Sequence, residues 1–182
     1  HGPNVPKMLG IEDKQLSVKG NKLIPVETDD GILVASMAFL IESNASPIIW
    51  RGPQKTGAIK QLISDVAWSN VDVMNFDNPP GTGDEPLTVL QMIPDLDAAV
   101  MVTTPSSVSE EDVTKCVSMT RMLNIKNIGL VENMSYLECP HCDERINLFG
   151  ESKGKDFAEA MDVDYLGDLP FGTSVSESAD IE

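Results

Sequence analysis

The fold is decided by residues 98–131, AAVMVTTPSSVSEEDVTKCVSMTRMLNIKNIGLV. Two short apolar runs, 98–103 and 125–131, flank a segment whose apolar residues recur at helical spacing. Within it, Ser109-Glu110-Glu111-Asp112 matches a loose capping box and predicts that a helix begins there. A strand, a helix and a second strand in this order are typical of a parallel sheet, because parallel strands need a crossover connection.

The same alternation extends in both directions from this stretch. Apolar patterns predict further strands at 32–40, 71–76 and 164–169, and further helices at 57–66, from about Asp84, and at 154–161. The opening to about Pro25 is rich in Gly, Pro, Lys and Asn and is predicted to be loop. We therefore predict an α/β fold: one domain over residues 1–182, with a parallel β-sheet, helices on both faces and a hairpin at 135–150.

Composition excludes several functional classes. The 182 residues carry a formal net charge of −16, which disfavours a nucleic-acid binder because phosphate contacts need clustered Lys and Arg. No apolar run approaches the roughly 20 residues of a membrane span, and no signal peptide is visible at the start. Three cysteines, an odd number, fit a reducing compartment, so we expect a cytoplasmic protein.

Ligands of such sheets bind outside the carboxyl ends of the strands, and polar stretches lie at these points. The first is Asp77-Asn78-Pro79-Pro80-Gly81-Thr82-Gly83-Asp84. The Asp77 carboxylate suits Mg²⁺ or its water, and the glycine backbone at Gly81 suits close approach to a phosphate. An ordinary β–α turn is the alternative for this stretch.

A second polar stretch, Val131-Glu132-Asn133-Met134-Ser135, also follows a predicted strand. The side-chain amide of Asn133 has the donor and acceptor needed to read an adenine edge. Alone, an Asn after a strand is more often a turn residue.

Cys139-Pro140-His141-Cys142 is the sharpest motif of the chain. Besides incidental surface thiols, three readings compete: a thioredoxin-like redox pair, half of an iron–sulfur site and half of a structural zinc site. A redox pair needs a helix directly after the motif, and the polar sequence that follows here lacks a helical apolar face. The acidic neighbours are also expected to raise the thiol pKa.

Counting ligands leaves this motif two short of the four that a cluster or Zn²⁺ usually takes. Cys116 lies on the predicted helix and is expected to be an inert buried thiol, and His141 cannot readily bind the same ion as its neighbours. Two copies of the hairpin at a two-fold axis supply four thiolates, which predicts a homodimer.

The phosphate-binding loop G-x-x-x-x-G-K-[ST] does not occur in the 182 residues. The only Gly-Lys pair, Gly154-Lys155, is followed by Asp156 and has no glycine at the required earlier position.

Taken together and in this order, several stretches resemble the Mrp/ApbC family of P-loop ATPases that carry iron–sulfur clusters, relatives of MinD and ParA. They are His1 to Gly10 (HGPNVPKMLG), Ile49 to Pro53 (IWRGP), the Asp77 to Asp84 loop, Val102 to Pro105 (VTTP) and Val131 to Tyr136 (VENMSY), leading into the Cys139–Cys142 motif.

The resemblance implies a MinD/ParA-like fold and a homodimer that hydrolyses ATP, with a [4Fe–4S] cluster bridging Cys139 and Cys142 of both subunits. It further implies that Asp77 is the switch carboxylate near Mg²⁺ and the γ-phosphate, that Asn133 reads adenine, and that the Pro170 loop forms the other wall of the base pocket. The function implied is ATP-dependent transfer of the cluster to apo-proteins. A non-enzymatic dimeric scaffold for Zn²⁺ or a cluster and a MinD-like positioning ATPase are the alternatives; the cysteine pair disfavours the second.

The sequence departs from this family in identifiable places. The family's phosphate loop and an acidic switch residue precede the His-Gly-Pro segment, so they fall before residue 1, and the chain ends short of the family's last helix. We therefore expect the C-terminal major part of a longer protein. Asn75 and Asn78 stand where similar proteins carry apolar residues, and Asn75 in a buried strand would need a hydrogen-bond partner.

Overall fold

A computed structural model of the chain describes residues 4–40 and 52–172. The sequence motifs at residues 1–3 and 49–51 lie outside the described residues. The described chain separates into two compact units, one containing the residues up to Met92 and the other those from Ile93 onward. The single domain expected from the sequence stays a prediction.

The first unit consists of short elements and two longer helices. They are α1 (Val5–Met8), β1 (Ser17–Lys19), β2 (Lys22–Ile24), β3 (Val26–Glu27), β4 (Leu33–Val34), a 3₁₀ helix (Met37–Leu40), α2 (Gly52–Ser64) and α3 (Asp84–Met92). β1 pairs antiparallel with β2, and β3 with β4. A small core forms around Ile11, Val26, Val34 and Phe39.

Two predictions for the residues up to Leu40 are wrong. The opening is not loop throughout, because the two-residue turn Gly20-Asn21 lets the polar segments on either side pair as β1 and β2. The apolar run 32–40 is not one strand: only β4 pairs, and the chain then turns into the 3₁₀ helix.

The predicted strand at 71–76 is also absent, and these residues carry no regular secondary structure. A strand needs a neighbour for its N–H and C=O groups, and none of the described strands pairs with this segment. Its side chains are largely exposed, Val73 to 83%. Asn75 is exposed as well, so its side chain does not need the hydrogen-bond partner that a buried strand would have required. The segment lines an apolar cavity of about 530 Å³ within the first unit.

The second unit is built on a parallel sheet. Its elements are β5 (Ala99–Thr103), α4 (Ser107–Met122), β6 (Ile128–Glu132), β7 (Leu137–Glu138), β8 (Arg145–Ile146), α5 (Gly154–Met161) and β9 (Asp164–Asp168). The strand order is β5-β6-β9, and both pairings are parallel. The strands predicted at 98–103, 125–131 and 164–169 and the helix predicted at 154–161 are confirmed within a few residues.

Helix α4 begins at Ser107, earlier than the capping pattern at Ser109 predicted. The Ser109 hydroxyl does not cap the helix; it lies 3.1 Å from the Thr103 hydroxyl and accepts a hydrogen bond from the Thr104 N–H at 3.2 Å. Ser109 therefore joins the first turn of α4 to the end of β5.

The core of this unit lies between the sheet and the two helices. Val117 of α4 and Leu130 of β6 are completely buried, and Ala158 of α5 packs in the same cluster. On β5, alternate residues leave this cluster, so Val100 is 59% exposed. Cys116 of α4 is half-buried, so it is not the fully buried thiol that the helix pattern predicted.

We predict that Leu130→Ala lowers the free energy of unfolding by about 2–5 kcal/mol, because it leaves a cavity in this core. Val100→Ala on the neighbouring strand is the matched control and should cost about 0.5 kcal/mol or less, because its side chain is exposed. Urea unfolding followed by circular dichroism measures both. Equal losses for the two variants would contradict this placement of the core.

Candidate metal and nucleotide site

The two cysteines lie at the tip of a short antiparallel hairpin. β7 and β8 pair Leu137 with Ile146 and Glu138 with Arg145. The tip is closed by two hydrogen bonds: the Cys139 N–H donates to the Glu144 carbonyl at 2.9 Å, and the Asp143 N–H donates to the Cys139 carbonyl at 3.0 Å. Asp143 adopts a left-handed conformation with φ of 59°, which Asp tolerates better than most residues. The turn holds Cys139 half-buried and Cys142 exposed.

The hairpin backbone stabilises a thiolate at Cys139. The backbone N–H of His141, the Cys142 thiol and the Cys142 N–H donate to its sulfur and hold the pKa of Cys139 below its ordinary value, although burial opposes them. For Cys139, the sequence expectation that acidic neighbours raise the thiol pKa is therefore wrong. Local N–H donors close to the sulfur outweigh carboxylates on exposed neighbours, whose charges are screened by water.

The donors present suit a metal that prefers sulfur. Thiolates are the usual ligands of iron–sulfur clusters and of structural zinc. Among residues 4–40 and 52–172, no group of three or more His, Cys, Asp or Glu side chains could hold a metal ion. One hairpin therefore fits half of a four-thiolate site.

Asn133 lies directly after β6, in a turn. Its N–H donates to the Thr103 carbonyl at 2.8 Å, which ties it to the end of β5. Its side-chain oxygen accepts a hydrogen bond from the Met134 N–H at 3.0 Å, and Met134 has a left-handed φ of 56°. These contacts are those of a turn residue, the alternative that the sequence left open. Recognition of adenine by Asn133 stays a prediction.

The loop that contains Pro170 runs beside the chain between Glu132 and Tyr136. The Leu169 N–H donates to the Glu132 carbonyl at 2.8 Å, and the Ser135 N–H donates to the Leu169 carbonyl at 3.0 Å. The Phe171 N–H donates to the Tyr136 carbonyl at 2.6 Å. The fold thus brings three predicted site segments together: the Asn133 turn, the Pro170 loop and the start of the cysteine hairpin.

Asp77 and Gly81 belong to the first unit. Asp77 is exposed in the irregular segment that precedes α3. Gly81 has a φ of 88°, which only glycine adopts without strain, so this position requires its residue type for the turn. The roles of both residues at Mg²⁺ and phosphate stay predictions.

The sequence reading missed Glu132, the most buried charged residue of this region. It ends β6 with 0% exposure, and its carboxylate accepts hydrogen bonds from the Ser135 and Ser152 hydroxyls and from the N–H groups of Lys153 and Gly154. Burial raises its pKa, but these four hydrogen bonds outweigh burial and hold the pKa below its ordinary value. The sequence contained one sign of this burial: the carboxylate directly follows the apolar run IGLV, at the end of a predicted buried strand.

The whole chain is similar to proteins named for iron transfer and for iron–sulfur cluster assembly. A family model described as NUBPL iron-transfer P-loop NTPase (ParA) matches residues 1–182. The iron–sulfur cluster carrier protein of Methanocaldococcus jannaschii is 46% identical over 180 residues, which are 99% of this chain and 62% of that protein. The cytosolic Fe-S cluster assembly factor NUBP2 homolog of Dictyostelium discoideum is 41% identical over 179 residues, which are 96% of this chain and 68% of that protein. The chain thus spans a little under two thirds of the length of the first of these relatives.

A solved structure supports the fold. The nucleotide-binding protein of Archaeoglobus fulgidus, in complex with ADP and with cobalt, superposes with a TM-score of 0.82 at 34% identity, covering 98% of this chain and 69% of that one. The fold predicted from the sequence, a parallel sheet flanked by helices like that of nucleotide-binding P-loop proteins, is confirmed.

We predict that, in the metal-free reduced chain, alkylation of Cys139 by iodoacetamide reaches half its maximal rate at a lower pH than in the urea-unfolded chain. The cause is the lowered thiol pKa, since the thiolate is the reacting form. Cys142→Ala should raise the midpoint only partway, because the N–H donors remain. Peptide mass spectrometry separates the three cysteines. The same midpoint in the folded and unfolded chains would contradict the geometry of the tip.

Proposed function

Because the chain belongs to the ParA/NUBPL family of iron-transfer P-loop NTPases, we propose that its protein carries a [4Fe–4S] cluster between two subunits and delivers it to apo-proteins in an ATP-dependent cycle. The observation that supports this proposal most directly is the hairpin tip, which holds Cys139 and Cys142 close together and whose N–H groups lower the pKa of Cys139. In this proposal one chain supplies two of the four ligands. A second copy of the hairpin, related by a two-fold axis, completes the set.

The cluster is the cargo in this proposal. Cys139 and Cys142 of each subunit would bind it through sulfur at an exposed tip, where a client thiol can reach it. Exposure favours release, because an incoming thiolate must replace each protein ligand in turn. The clients are therefore proteins with free cysteines arranged for an iron–sulfur cluster.

Hydrolysis of ATP is proposed for the protein that carries a phosphate loop, which residues 1–182 do not contain. The family is one of P-loop NTPases, and the similar Archaeoglobus fulgidus structure contains ADP. In this proposal Asn133 and the Pro170 loop hold the base, Gly81 lies beside the phosphates, and the Asp77 carboxylate orients Mg²⁺ or its water. Mg²⁺ would neutralise the charge that develops on the transferred phosphoryl group.

We place the protein in the cytoplasm, in keeping with the three-cysteine composition and with the similarity to the cytosolic assembly factor homolog of Dictyostelium discoideum. Within the part of the chain that the structure describes, no helix has the length and apolar character required to cross a bilayer.

Anaerobic reconstitution with iron and sulfide tests the cluster. We expect a brown protein with about four irons per dimer. Cys139→Ala or Cys142→Ala should abolish iron binding and weaken dimerisation. Cys116→Ala is the matched control and should leave cluster and dimer intact, because Cys116 lies in α4. Iron content, visible absorption and light scattering measure these effects.

Two outcomes would contradict the proposal. A colourless product that retains zinc tightly after the same treatment would favour the structural-metal scaffold. Loss of the cluster in Cys116→Ala would show that the ligand set is assigned incorrectly.

Nucleotide binding is tested in a longer chain with a phosphate loop ahead of residue 1. We expect Mg-ATP to bind, and Asp77→Ala and Asn133→Ala to weaken binding by about tenfold or more, since each removes a charged or bidentate contact. Asp72→Ala, which removes an exposed carboxylate outside the Asp77 to Asp84 loop, is the control and should bind as the unchanged protein does. Isothermal titration calorimetry measures the affinities; unchanged affinity in Asp77→Ala or Asn133→Ala would remove that residue from the site.

A further inference from the structure

We infer that Glu132 is a positioning residue that anchors both ends of the cysteine hairpin to β6. We call the group formed by Glu132, Ser135, Ser152, Lys153 and Gly154 the Glu132 clasp. Its relevance to metal transfer rests on the proposed function, whereas its effect on the hairpin does not depend on any metal.

One oxygen of Glu132 contacts both ends of the hairpin segment. Oε2 accepts hydrogen bonds of 2.5 Å from the hydroxyls of Ser135 and Ser152. Ser135 precedes β7 and Ser152 follows β8, so residues 136–151, with both cysteines, lie between these two contacts. A single group therefore fixes the distance between the outgoing and the returning limb.

The second oxygen joins the hairpin to α5. Oε1 accepts hydrogen bonds from the N–H groups of Lys153 at 3.1 Å and Gly154 at 2.8 Å, at the first turn of that helix. A carboxylate is favourable there because the helix dipole is positive at this end. A Cβ at position 154 would lie only 2.8 Å from the Glu132 Cβ, which is too close for two carbon atoms. The absence of a side chain at Gly154 therefore lets the start of α5 approach Glu132.

The hairpin depends on such an anchor because the contacts within it are few and weak. Each of its strands has two residues, and every residue from Pro140 to Lys153 is exposed. Its exposed side chains make weak contacts: the Arg145 guanidinium lies 3.9 Å from the Tyr136 ring centre and 3.9 Å from the Asp168 carboxylate, and the rings of Phe149 and Phe171 meet edge to face at 6.2 Å. The backbone hydrogen bonds to the Pro170 loop are made by Ser135 and Tyr136, on the outgoing limb. Exposed contacts of this kind contribute little. The clasp is the buried, charge-assisted contact of the segment.

The clasp also places the hairpin beside the predicted base pocket. The backbone carbonyl of Glu132 accepts the Leu169 N–H, next to Pro170, and the following residue is Asn133. A shift of the Asn133 turn or of the Pro170 loop therefore moves the anchor of the hairpin. Glu132 therefore contacts both the cysteine hairpin and the segments predicted to hold the base.

Hydrogen exchange of the metal-free chain tests the anchor. In Ser152→Ala, which removes the hydrogen bonds of this hydroxyl to Glu132 and to Tyr165 of β9, we expect the Cys139 and Asp143 amides to exchange about tenfold faster, while core amides of α4 and β6 stay unchanged. Glu132→Gln, which keeps one carbonyl oxygen for four donors, should show the same pattern more strongly. Glu151→Gln, an exposed carboxylate beside Ser152, is the matched control and should match the unchanged chain.

The exchange pattern decides the inference. Unchanged hairpin exchange in Ser152→Ala would overturn it, and so would acceleration that extends equally to α4 and β6, because that shows loss of general stability. If Glu132→Gln does not fold, Ser152→Ala still decides.

Reconstitution separates this inference from the proposed function. We expect Ser152→Ala to bind the same iron as the unchanged chain but to lose it to EDTA several-fold faster, with a shifted electron paramagnetic resonance signal of the reduced cluster. The same loss rate and signal as in the unchanged chain would overturn the positioning role at the metal. Absence of a cluster in the unchanged chain would overturn the proposed function and leave the exchange result standing.

Discussion

The hydrogen-bonded parallel strand β6 is the constraint on which the second unit depends. Both of its edges are paired, with β5 on one side and β9 on the other. Its first three residues are buried, so the strand cannot shift by one residue without exposing Leu130 or burying a polar group. The fixed end of β6 therefore sets where the following residues lie, from Asn133 to the cysteine tip.

Burying Glu132 at that end costs desolvation of a charge, and the fold offsets this cost with four donors. Two are side-chain hydroxyls and two are backbone N–H groups at a helix start, and together they saturate the carboxylate. The same hydrogen bonds join β6, the cysteine hairpin and α5. An apolar residue of similar size would remove the desolvation cost, but it would leave these donors without an acceptor.

Local pattern predicted the regular elements of the second unit well, because buried parallel strands and their crossover helices have strong apolar periodicity. The pattern gave wrong predictions where the structure depends on strand pairing or on hydrogen bonds made only in the folded chain. Residues 71–76 have strand-like composition, yet no described strand pairs with them, and they remain irregular. The Ser109 capping pattern failed because the Thr103 hydroxyl and the Thr104 N–H, which are close only in the folded chain, take up the Ser109 hydroxyl.

By itself, the sequence determined the α/β class, the cysteine pair and the shortage of metal ligands in one chain, since these follow from periodicity and from counting residue types. Only the tertiary structure decided that the Cys139 pKa is lowered, because that depends on where N–H groups point rather than on which charges are near in sequence. Only the tertiary structure showed the clasp, since Glu132 and Ser152 are 20 residues apart and meet through the pairing of β6 and the placement of α5. The sequence thus predicts a hairpin with two cysteines between Ser135 and Ser152. The contact with Glu132 that positions this hairpin is visible only in the folded structure.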